Sequence, residues 1–89
     1  MKIYIGEDIW ILKEDILGAF TKESLLKSKD GRAFVRAFEE KFALIKINEE
    51  VNSFILVKEG EDMTLYESNV STDSIKNKVK TKGMKSIYE

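Results

Sequence analysis

An α+β fold is predicted by three features of this chain. Short strand patterns flank a Gly-Glu-Asp turn at the N-terminus. In the middle, one stretch switches its apolar period from two to about 3.6. A second strand pair then precedes a C-terminal segment with helix-capping residues. The expected architecture is a small antiparallel-rich sheet packed by one amphipathic helix, with a short C-terminal helix.

The elements follow in order. Lys2 to Ile5 reads as a strand, Gly6-Glu7-Asp8 as a turn and Ile9 to Leu12 as a second strand, which together make a β-hairpin. After Lys13-Glu14-Asp15, Ile16 to Phe20 is apolar almost throughout. That is the pattern of a strand covered on both faces, and its expected place is the centre of the sheet. Thr21 to Lys29 is polar and lysine-rich around Leu25-Leu26, and reads as a connection with room for one helical turn.

From Asp30 the pattern is helical. Phe34, Phe38 and Phe42 recur at i, i+4 and i+8, with Val35 and Ala37 widening the stripe, while Arg32, Arg36, Glu39 and Glu40 lie largely away from it. Ser28 or Asp30 can cap the first turn. The triple-Phe stripe is expected to pack on the sheet, each ring contributing roughly 1.5 to 3 kcal/mol on burial. Leu44 to Ile47, Phe54 to Val57 and Met63 to Tyr66 then read as strands, the last two joined as a hairpin across Gly60. Ser71, Thr72 or Asp73 can cap a helix running to about Thr81, docked by Ile75 and Val79 and stopped by Gly83.

Composition narrows the function. The chain has 89 residues, 43% hydrophobic and 35% charged, which describes one globular domain. Its expected limits are 1–82, with 83–89 a tail that is expected to fray, docking of Ile87 and Tyr88 on a neighbouring protomer being the other reading. No apolar run reaches the roughly 18 residues of a membrane span, and the N-terminus enters a strand directly, so a cytoplasmic location is expected. Histidine and cysteine are both absent. The usual general base, nucleophile and transition-metal ligands are therefore missing, and no enzyme, cofactor or metal is expected.

Five acidic pairs stand out: Glu7-Asp8, Glu14-Asp15, Glu39-Glu40, Glu49-Glu50 and Glu61-Asp62. Neighbours on a strand point to opposite faces, and no calcium-loop ladder is present. Four of the pairs fall at expected turns. They read as solvated charges that discourage sheet edges from pairing.

Charge is uneven along the chain. Through Glu67 there are ten basic and fourteen acidic residues, whereas Ser68 to Glu89 carries five lysines against Asp73 and Glu89. Lys76, Lys78, Lys80 and Lys82, with Arg32 and Arg36, are the candidate DNA contacts, lysine acting mainly as a point charge on the backbone. A solvated lysine helix is the other reading, and an overall charge of −1 is poor for a monomeric DNA binder. Tyr4, Trp10 and Tyr66 can serve as a stacking platform for single strands, or pack on the sheet or at a subunit interface.

IYIGEDIWILKEDILGAF at Ile3 to Phe20, NSFILV at Asn52 to Val57 and LYESNVSTDSIKNKV at Leu65 to Val79 resemble the Rem family of bacterial extracellular matrix regulators, particularly its RemB branch. The carrying motifs are an I-G-E-D turn between two strands, a K-x-D entry to the third strand, and a Tyr-x-Ser segment leading into a lysine-containing helix. The resemblance implies a small cytoplasmic α+β protomer that forms a homo-oligomer and acts on transcription of biofilm matrix genes.

In the DNA-binding RemA branch, arginines contact DNA. At the corresponding positions this sequence carries Asp15 and Glu49-Glu50, and charge reversal at repeated phosphate contacts should abolish that mode. Two expectations follow: an oligomeric regulator that binds double-stranded DNA through its lysine helix, and an oligomeric scaffold that binds a protein partner without touching DNA.

Overall fold

The computed structural model describes residues 1–79 in full and Ile87–Tyr88 as backbone. The expected stop at Gly83, the helix residues beyond Val79, and Lys80 and Lys82 lie outside the described residues.

The fold is α+β, as expected. The elements are β1 (Lys2–Gly6), β2 (Ile9–Leu12), a 3-10 turn (Lys13–Asp15), β3 (Ile16–Thr21), α1 (Lys22–Lys27), α2 (Lys29–Lys41), β4 (Ala43–Lys46), β5 (Ser53–Glu59), β6 (Asp62–Ser68), α3 (Thr72–Val79) and β7 (Ile87–Tyr88). β1 and β2 form their own two-stranded antiparallel sheet, and the other five strands form a mixed sheet in the order β4-β6-β5-β3-β7. The β3–β5 and β5–β6 ladders are antiparallel, while β4–β6 and β3–β7 are parallel.

Strand β5, not β3, stands at the centre. Continuous apolar sequence reports burial on two faces and says nothing about neighbours along the sheet. β3 is covered above and below, yet on its outer side, among the described residues, it meets only the two-residue β7. That pairing also places Ile87–Tyr88 in the sheet, where the tail was expected to fray.

Two cores lie on the two faces of this sheet, and β5 writes both by alternation. Ile55 and Val57 join Ile3, Ile5, Ile11, Ile16, Ala19, Ile75 and Val79 on one side. Phe54 and Leu56 join Phe38 and Leu65 on the other, against Leu25, Leu26, Phe34 and Val35 of the helices. A bulge between Ile16 and Gly18 shifts the phase of β3, so that Ile16 and Ala19 serve the first core while Leu17 and Phe20 serve the second. The molecule is thus three layers: the hairpin with α3, the sheet, and α1 with α2.

The helical layer departs from expectation in two places. The connection after β3 is mostly helix: Thr21 caps α1 by accepting from the Ser24 amide at 3.1 Å, and Ser28 caps α2 by accepting from the Gly31 amide at 2.9 Å. Leu25 and Leu26, too few to show a period, dock α1. Phe42 does not complete the buried stripe. It ends α2 in a non-helical conformation and stays 55% exposed, because the chain turns there into β4.

Candidate functional site

The N-terminal hairpin is held rigidly against the sheet. Ile3, Ile5 and Ile11 point inward and are buried, and hydrogen bonds secure the inner strand. The Ser68 hydroxyl donates to the Ile5 carbonyl at 2.6 Å and accepts from the Val70 amide at 3.0 Å, while the Ser53 hydroxyl donates to the Val70 carbonyl at 2.6 Å.

The hairpin tip is tied by Asn48, whose amide donates to Glu7 Oε1 at 3.2 Å and whose Oδ1 accepts from the Asn69 amide at 3.0 Å. Gly6, at φ 118°, lies so close that a Cβ there would stand 2.7 Å from Asn48 Oδ1. The two-residue loop Glu7-Asp8 has φ of 46° and 61°, the type I′ pattern whose twist matches the strands.

With Ile3, Ile5 and Ile11 turned inward, alternation turns Lys2, Tyr4, Trp10 and Leu12 outward. Tyr4 faces Trp10 across the strands, their rings 5.2 Å apart and tilted by 58°. Trp10 is 56% exposed, Leu12 41% and Met1 73%. The Met1 carbonyl accepts from the Lys13 amide at 2.9 Å, fixing the open end of the hairpin. Beside Trp10 runs a cleft of about 250 Å³ lined by Lys2, Trp10, Ile11, Leu12, Asp15 and Glu59. A second cleft, of about 540 Å³, lies where Lys41, Phe42 and Ala43 meet Glu61–Thr64.

Tyr66 does not join the outer face. It is half-buried against the Ile/Val core, and burial first, with the Glu59 carboxylate second, pushes its phenol above its ordinary pKa of 10.0. No three-ring platform forms. Sequence reading also missed that Trp10 and Leu12 stay uncovered; the signal was there in the alternation of IWIL, which sends one pair in and the other out.

The candidate cations are split by the sheet. Lys76, half-buried, and Lys78, exposed, ride on α3, whose Ile75 and Val79 dock on the Ile/Val side. Arg32 and Arg36 lie on α2, whose Phe34, Val35 and Phe38 dock on the opposite side. Arg32 is moreover engaged within the fold, since its Nη1 donates to the Leu26 carbonyl at 2.7 Å and to the Lys27 carbonyl at 3.2 Å, closing the C-terminal end of α1. The two helices approach so closely that a Cβ on Gly31 would fall 1.7 Å from the Leu25 carbonyl oxygen. Lys80 and Lys82, outside the described residues, cannot be joined to either group.

Of the acidic positions, Asp15 lines the Trp10 cleft, and Glu49-Glu50 stand exposed in the turn before β5. Among the described residues no group of three or more His, Cys, Asp or Glu side chains is placed to hold a metal ion, and no helix is long and apolar enough to cross a membrane. Neither a family model, nor a curated protein, nor a solved structure matches the chain.

Proposed function

We propose that the chain is a non-catalytic, cytoplasmic regulator of the Rem kind, acting on extracellular matrix and biofilm gene expression as a protein-interaction module whose working surface is the outer face of the hairpin. The observation that carries this reading is the uncovered Trp10 and Leu12 beside Tyr4 on a hairpin fixed by buried hydrogen bonds. Aromatic anchors held on a rigid support are what the energetic centre of a protein interface is made of, and a contiguous apolar patch is costly to leave in water without a use.

Direct contact with double-stranded DNA is the second reading. It is favoured by Lys76 and Lys78, which make no ion pair among the described residues. Arg32 and Arg36 sit behind the sheet from them, so a single copy presents no joint track of these four cations, and a phosphate-binding surface requires several copies side by side.

A fluorescence anisotropy titration of a labelled duplex at about 50 mM and about 200 mM salt separates the two readings, because phosphate-driven binding collapses over that range. Absence of binding by the folded protein at both salts supports the interaction module. Tight binding at the lower salt that falls by orders of magnitude at the higher, and is lost in the Lys76→Glu/Lys78→Glu variant, overturns it in favour of DNA contact.

A further inference from the structure

We infer that the outer edge of β4 accepts an extended segment of another protein, apolar in the middle and basic at both ends, as one more strand of the mixed sheet. This surface is separate from the outer face of the hairpin and stands on its own observations. β4 ends the strand order and, among the described residues, pairs with β6 alone. The Ile47 amide donates to the Glu67 carbonyl at 2.8 Å. Amides two apart on a strand point the same way, so Ala43 and Ile45 also turn towards β6, while Leu44 and Lys46 turn their N–H and C=O groups to the outside. Such an edge is a template for strand addition, in which backbone bonds supply affinity and the flanking side chains supply choice.

The side chains along the edge favour an extended occupant. Leu44 packs into the Phe/Leu core, so alternation sends Ile45 to the other side of the sheet, where it stays 42% exposed. Phe42, itself exposed, holds its ring 5.2 Å from that of Phe38 on the helical side. Apolar groups thus flank one edge on both sides. A strand, whose side chains alternate between the two sides, meets both, whereas a helix presents one face and meets one.

Charge selects the ends. Glu39 and Glu40 lead into β4, Glu49 and Glu50 follow it, and Glu61 and Asp62 line the cleft of about 540 Å³ beside Phe42. These carboxylates outnumber Lys41 and Lys46, and no ion pair among the described residues engages them. The cleft offers Phe42 and Met63 to the stem of a Lys or Arg side chain, and carboxylates to its head. The same charges turn away a second copy. Laid antiparallel about a two-fold axis, two β4 strands would set Glu39-Glu40 of one against Glu49-Glu50 of the other, like against like.

The test is a fluorescence anisotropy titration of the full chain into a labelled peptide of about ten residues, with lysines at both ends and alternating Val and Thr between them. Amide hydrogen exchange is followed by NMR with and without the peptide. The basic peptide should bind, and a version with Glu in place of Lys should bind at least ~10-fold more weakly. On binding, exchange should slow at the Leu44 and Lys46 amides and stay the same at Ile45, which already faces β6. Glu49→Lys/Glu50→Lys should weaken the basic peptide by ~10-fold, with circular dichroism unchanged, and strengthen the acidic one.

No binding of the basic peptide, or equal affinity for the two, overturns the proposal. Binding that leaves exchange at Leu44 and Lys46 unchanged overturns it too, since the peptide then lies on another surface. Protection of those two amides that rises with protein concentration alone gives the edge to a second copy, and is the third result that would end it.

Discussion

The two faces of the central sheet are built from different side chains by different means. Towards the hairpin and α3 the core is almost wholly β-branched, with Ile3, Ile5, Ile11, Ile16, Ile55, Val57, Ile75 and Val79, and it includes buried Ser53 and Ser68 that hydrogen-bond to backbone carbonyls. Towards α1 and α2 it is mainly Phe and Leu, with the Phe34 and Phe38 rings 5.0 Å apart and tilted by 53°, and Phe20 set edge-on to Phe34. β5 shows the division within five residues, Ser53-Phe54-Ile55-Leu56-Val57.

The physical reason is the partner each face meets. A hairpin lying on a sheet is served by stiff branched side chains on pleated surfaces. Helices crossing a sheet need longer side chains that reach between ridges. The lesson is that buried side-chain hydrogen bonds tie the hairpin to the sheet, whereas the helices meet the sheet itself through packed Phe and Leu side chains.

That contrast can be broken most strongly on the Phe/Leu side. Phe38→Ala should cost about 3 to 5 kcal/mol, read as a lower urea midpoint with an unchanged slope, because the ring is buried between α2 and β6 and the space cannot close. Gly31→Ala comes next at about 1 to 3 kcal/mol. The added methyl meets the Leu25 carbonyl, so hydrogen exchange should quicken across residues 22–27 while the hairpin amides keep their protection.

On the other face, Ser68→Ala should cost about 1 to 3 kcal/mol by leaving the Ile5 carbonyl and the Val70 amide without their partner. Its mark is the reverse pattern, with exchange faster in β1 and β2 and unchanged in α2. If both variants loosen both faces equally, the division of labour fails. The smallest effect is a gain. Asp8→Gly, at φ 61° in the hairpin loop, should stabilise by about 0.5 kcal/mol in thermal unfolding and leave both exchange patterns alone.

Much of the fold was legible because it depends on neighbours in sequence. The Phe34 and Phe38 spacing marked α2, Ser28 and Ser71 marked helix starts, the Gly-Glu-Asp turn marked the hairpin of β1 and β2, and an apolar run before the turn at Gly60 marked β5 and β6. What depends on distant pairing was not legible. The apolar run of β3 could not say that β5 takes the centre, and the short pair Leu25-Leu26 could not show α1 as a helix.

The candidate site suffered from the same limit. Arg32 and Lys76 looked alike as exposed cations until the sheet came between them, and Arg32 was already committed to α1's carbonyls. The pair Tyr4 and Trp10 was visible as aromatic, but the face it occupies depends on which side of the hairpin the sheet covers.

The order of strands in the sheet also determines when the protein can fold as it is made. β3 must wait for β5, and β4, among the described residues, pairs with β6 alone, which follows β5 in the chain. On the ribosome no ladder of this part of the sheet can form until β5 emerges, and β4 stays unpaired until residues 62–68 are out. Until then Ile16 to Phe20 and the helices beyond it have no sheet to cover them, so assembly of the whole should come late and nearly at once. The β5–β6 hairpin is the ladder of this sheet with the shortest sequence separation, so mutations there should slow folding more than those in β4.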